Sequence, residues 1–134
     1  MSRSKRVGAA MLAAMLAAVA CPAEDRATRV ITDQSAVTMT STTTGTGWLV
    51  DRYTEALVVV DVTAESGTVT LDVEVQTSAD NTTWVAHPSG TFTQITGVTT
   101  AVKALTNVGQ YLRVKYTIGG TTSMTLTSKI VLKN

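Results

Sequence analysis

With 134 residues, 44% of them hydrophobic, and eleven basic against ten acidic side chains, the chain has room for one domain with a modest core. The net charge of +1 is scattered along the chain, leaving no basic stripe to neutralise a phosphate backbone, which argues against nucleic acid as a partner. A single cysteine, Cys21, excludes an internal disulfide and any multi-cysteine metal site, so packing alone must hold the fold.

Residues 1–29 stand apart from the rest. Arg3, Lys5 and Arg6 precede an uncharged run from Val7 to Ala20 dominated by Ala, Met, Leu and Val. That is the layout of a secretory signal, with Ala18-Val19-Ala20-Cys21 as an approximate lipoprotein cleavage box. The run is too short to span a bilayer as a helix. Membrane attachment would follow only from lipidation of Cys21, and alanine stands where that box usually has leucine. The same run reads equally as a retained helical arm. Met11, Leu12, Met15, Leu16 and Val19 recur at i, i+4, i+8 spacing, with alanine, the strongest helix former, on the other faces. In that reading the stripe is a contact for a partner. Both readings stay open.

From residue 30 to 134 the chemistry is that of strands. The whole chain has 26 threonines and 18 valines, all but three of them in this stretch, and both are β-branched and favour pleated, half-buried surfaces. A threonine-rich, charge-poor exterior also suits packing against other protein, because little charge has to be desolvated. Ala36 to Thr40 is a predicted strand, Thr42 to Gly47 a loop, and Trp48-Leu49-Val50 resumes order. The continuous apolar run Ala56 to Val60 predicts a central strand buried on both faces. After a Ser66-Gly67 turn, Val69, Leu71, Val73 and Val75 alternate with Thr70, Asp72, Glu74 and Gln76, giving one dry face and one wet. Ser78 to Asn81 is the next turn. Trp84-Val85, Thr91 to Thr96 around Phe92, and Val102 to Leu105 are short strands. Leu112, Val114, Tyr116 and Ile118 form another period-two face, Gly119-Gly120 signals a hairpin, and Met124, Leu126, Ile130 and Leu132 line the last strand. Roughly eight short strands with polar turns predict an all-β, antiparallel two-sheet sandwich or jelly roll behind the N-terminal segment.

Catalytic chemistry finds little support. His87 is the only histidine, no Gly-x-Ser-x-Gly elbow accompanies it, and its place before Pro88 predicts a surface loop residue. Asp80 and Asn81 with Asp72 or Glu74 supply oxygen ligands of the calcium type, but without Asp-x-Asp-x-Asp-Gly spacing they read better as a turn. No catalytic residue, cofactor or metal is expected. Of the two tryptophans, Trp84 is expected to cap the core, and Trp48 is the candidate exposed aromatic, a possible stacking platform.

The run Ser66-Gly-Thr-Val-Thr-Leu-Asp-Val-Glu-Val-Gln-Thr-Ser-Ala-Asp-Asn-Thr-Thr-Trp84 resembles a module of small structural proteins of tailed bacteriophages. The likeness continues through Phe92 to Ile95 and Gly109-Gln-Tyr-Leu-Arg-Val-Lys-Tyr116 to the last strand, covering about residues 47–134. It implies a virion protein without enzymatic activity. Among such proteins, a head decoration or cement protein on the capsid surface fits the size and the uncharged exterior. Its partners would be the major capsid protein or other virion proteins, with many copies per particle or a homo-oligomer. Tail, collar and connector roles suit the same fold. The alternative from another class is a secreted or lipid-anchored bacterial module that binds a glycan or surface ligand.

Overall fold

The computed structural model describes residues 28–120 and 122–134. The expectations placed on residues 1–27, including the Met11, Leu12, Met15, Leu16 and Val19 stripe, lie outside the described residues. Nine strands follow in order: β1 (Thr28–Met39), β2 (Thr43–Thr44), β3 (Trp48–Leu49), β4 (Glu55–Glu65), β5 (Val69–Ser78), β6 (Val85–Thr91), β7 (Thr99–Thr106), β8 (Tyr111–Gly120) and β9 (Met124–Lys133). They form two antiparallel sheets packed face to face. One has the order β1-β9-β4-β7; the other runs β2-β8-β5-β6, with β3 also pairing β8.

The period-two patterns produce the core as expected. Val69, Leu71, Val73 and Val75 of β5 and Leu112, Val114 and Tyr116 of β8 are buried against Val58, Val60 and Val62 of β4 and Leu126, Ile130 and Leu132 of β9. Each such side chain contributes about 1.5–3 kcal/mol by leaving water, and no disulfide is needed.

Other expectations are corrected. Gly119-Gly120 does not make a hairpin: both residues still pair with β5, opposite Thr70 and Val69, and the chain then crosses to β9 in the other sheet. Gly120 has φ +97°, and a Cβ there would lie 2.3 Å from the Thr68 carbonyl oxygen, so this close strand approach requires glycine. The Ser66-Gly67 turn is present as expected, and it carries the chain from β4 in one sheet to β5 in the other. The run Ala56 to Val60 is buried on one face only. Ala56, Val58 and Val60 enter the core, but Leu57 and Val59 point outward and are half-exposed, because among the described residues no layer covers the four-stranded sheet from outside. The strand expected over 36–40 is the end of a longer β1, whose register with β9 slips at Thr32/Gln34 and again at Gln34/Val37. Pro88 lies within β6 rather than ending it, which an edge strand permits.

Candidate functional site

Two polar seams close the sandwich along its sides. On the first, Asp33 of β1 gathers two donors from the opposite sheet: Trp48 Nε1 donates to Oδ1 at 2.9 Å, and the Tyr116 hydroxyl donates to Oδ2 at 2.8 Å. The same hydroxyl meets Ser128 Oγ of β9. Tyr116 and Ser128 are fully buried, and every group in the network has a partner, so the charge-assisted bonds tie four strands together. Burial, and next the nearby Asp33 charge, push the Tyr116 phenol far above its ordinary range. It stays a donor.

The second seam joins the other two sheet edges. His87 is buried at 6% exposure, not on the surface as its sequence position predicted. Ser89 N–H donates to Nδ1 at 3.1 Å, which leaves Nε2–H to donate to the Thr106 carbonyl at 2.8 Å. β6 is thereby stitched to β7. The histidine lies in a strand because β6 continues through Pro88.

Both tryptophans are half-buried, and neither takes the role expected. Trp48, the candidate exposed aromatic, is half-buried and packs against the core, held by Asp33. Trp84 caps no core. It carries the Arg113 guanidinium 4.4 Å from its ring centroid, and Arg113 Nε donates to Gln76 Oε1 at 2.7 Å. Gln76 Nε2 in turn donates to Glu74 Oε2 at 2.9 Å, so the outer face of the five-stranded sheet is a polar ladder.

The carboxylates considered for calcium are engaged separately. Asp80 Oδ1 accepts from the backbone N–H groups of Thr82 and Thr83 at 2.9 and 2.8 Å and from the Ser78 hydroxyl at 3.0 Å. These bonds, led by Thr83, hold its carboxyl below the usual value of 3.8. Asp72 accepts from Gln94 Nε2, and Glu74 from Gln76. Among the described residues no three metal-ligating side chains converge.

The outer wall of the four-stranded sheet is different in kind. The register aligns Val30, Val131, Leu57 and Ala104 in one row across all four strands. The next outward row is Thr32, Lys129, Val59 and Val102. Val30 is 59% and Val102 53% exposed. A shallow groove over Leu57, Ala104 and Val131 is flanked by Glu55 and Lys133. This face was missed in the sequence, although its signal was present: in the middle of β4 the outward Leu57 and Val59 are as apolar as the inward Val58 and Val60.

No family model matches the chain, and no curated protein matches it. Among solved structures it is similar to the SPBc2 prophage-derived protein YomS, with a TM-score of 0.60 and 11% sequence identity. The match covers 85% of this chain and 99% of that one. The chain shares the fold of a prophage-derived protein. At that identity the likeness speaks for the fold and not for a site or a partner.

Proposed function

We propose that the chain is a non-enzymatic structural protein of a tailed-phage virion, acting on the capsid as a decoration protein that holds neighbouring subunits by protein–protein contact. The observation that carries this reading is the outer wall of the four-stranded sheet, where six apolar side chains in two adjacent rows face outward, exposed or half-exposed, on a rigid support. The rigidity comes from the core and from the Asp33 and His87 seams on either side. The fold likeness to a prophage-derived protein of nearly the same extent supports the phage setting. So does the sequence resemblance over about residues 47–134. The polar side chains support a passive role, because among the described residues Tyr116, Ser128, Asp33 and His87 are spent on one another or on backbone.

The test uses particles from a phage carrying the gene and particles from a deletion of it. Mass spectrometry should find the chain in purified heads. Full-length protein added to deficient heads should bind saturably and raise the temperature at which they release DNA. Absence from purified virions, or recovery only in tail fractions, rejects the capsid role.

A further inference from the structure

We infer that the outer face of the four-stranded sheet pairs with the same face of a second copy, about a two-fold axis parallel to the strands and midway between β4 and β9. This pairing concerns the isolated chain and uses the same face as the capsid contact proposed above, so on one copy the two contacts exclude each other, and sedimentation without particles tests the pairing alone.

The register supplies the geometry. Outward residues of β9 and β4 lie side by side as Lys133 with Glu55, Val131 with Leu57, Lys129 with Val59, and Thr127 with Asp61. A two-fold axis between these strands exchanges the members of each pair. Lys133 of one copy then lies over Glu55 of the other, and this happens twice by symmetry. Val131 lies over Leu57, and Val30 of β1 over Ala104 of β7, so apolar meets apolar along the whole row. Lys129 falls one outward position from the other copy's Asp61, within reach of a long side chain. An axis perpendicular to the strands would instead bring Glu55 against Asp61, two like charges, so the face discriminates between orientations.

The size fits a weak, reversible dimer. Four strands spaced by about 4.8 Å, with eight residues rising about 3.3 Å each, make a face of about 500 Å². Two such faces bury about 1,000 Å², the lower end of specific interfaces. Sheets stacked in this way cross by about 30°, and the lysines at the ends of the face have the length to absorb the offset. The pairing also accounts for the run Ala56 to Val60. A strand apolar on both faces is covered on both faces, once by its own second sheet and once by its twin.

The experiment is sedimentation of the full-length protein over a concentration series. The wild type should dimerise in the micromolar range, and Val102→Lys or Leu57→Lys should weaken the dimer about tenfold or more while the thermal melt keeps its shape. Glu55→Lys and Lys133→Glu should each be mainly monomeric alone, and mixing the two variants should restore dimers, because both cross-copy pairs then regain opposite charges. A wild type that stays monomeric at about 100 µM overturns the pairing. So does a dimer indifferent to Val102→Lys, one abolished by deleting residues 2–27 but not by the face substitutions, or a mixture that fails to reassociate.

Discussion

The Tyr116 hydroxyl on the five-stranded sheet donates to Asp33 Oδ2 on the four-stranded sheet at 2.8 Å, across 83 residues of sequence. The other oxygen of the same carboxylate takes the Trp48 indole from the same five-stranded sheet, at 2.9 Å. Replacing Tyr116 by Phe removes the donor and leaves both Asp33 and the buried Ser128 short of a partner. The cost should be about 1–3 kcal/mol in the denaturant midpoint. The phenol also gives a pH signature. Its folded-state value lies above the ordinary 10.0, so the unfolded chain ionises first and stability falls as pH rises past that point. Tyr116→Phe should lose that part of the alkaline slope. An unchanged midpoint and an unchanged slope would show that the seam holds nothing.

Asp80 predicts the opposite limb. Its carboxyl is held down by the Thr83 and Thr82 amides and the Ser78 hydroxyl, so its contribution is complete above the ordinary 3.8 and is lost as pH falls below that value. Acid denaturation of Asp80→Ala, followed between about pH 5 and pH 2, should therefore show a shallower slope than the wild type. Parallel curves would mean the turn does not depend on the charge.

Gly90 in β6 leaves no room for a side chain. A Cβ there would sit 2.6 Å from the Val75 carbonyl oxygen and 3.1 Å from the His87 Cβ. Gly90→Ala should force β6 from β5 and loosen the His87–Thr106 seam, at about 1–3 kcal/mol. Hydrogen exchange should speed up at β6 and at the neighbouring β5 amides first. Exchange that rises evenly over both sheets would point to global weakening instead.

Val73 and Val114 lie on neighbouring strands and are both buried. Truncating either to Ala should lower stability by about 1–3 kcal/mol through lost burial and the cavity left behind. Equilibrium unfolding measures it, and a midpoint that does not move in either variant would contradict the packing described.

The sequence revealed the fold where one alternation answered one question. Val69 to Val75 and Leu112 to Tyr116 show which side of each strand is dry, and the structure buries those sides. Which strands share a sheet was not legible. Gly119-Gly120 and Ser66-Gly67 have the composition of hairpin turns, yet both carry the chain between layers. Ser128 is the polar interruption in an otherwise apolar inward series from Met124 to Leu132, and only Tyr116 and Asp33 explain it. Asp33 itself gave no signal, since a lone acid in a threonine-rich strand looks solvated. The roles of the tryptophans were not legible because local spacing cannot report that Asp33 reaches Trp48 or that Arg113 of β8 covers Trp84.

The edge formed by β1 is irregular in the way that matters for copies at high density. Its pairing with β9 slips twice between Thr32 and Val37, Ala36 has φ +48°, and the Ala36 amide is taken by the Thr127 hydroxyl instead of a backbone carbonyl. A strand broken like this is a poor template for another strand, so sheets are discouraged from extending from molecule to molecule through that side. Association through a flat face about a two-fold axis stops at two, whereas strand-on-strand growth has no natural end. The kinks in β1 thus work as a terminator, turning a chain rich in valine and threonine away from fibres and towards assemblies of finite size.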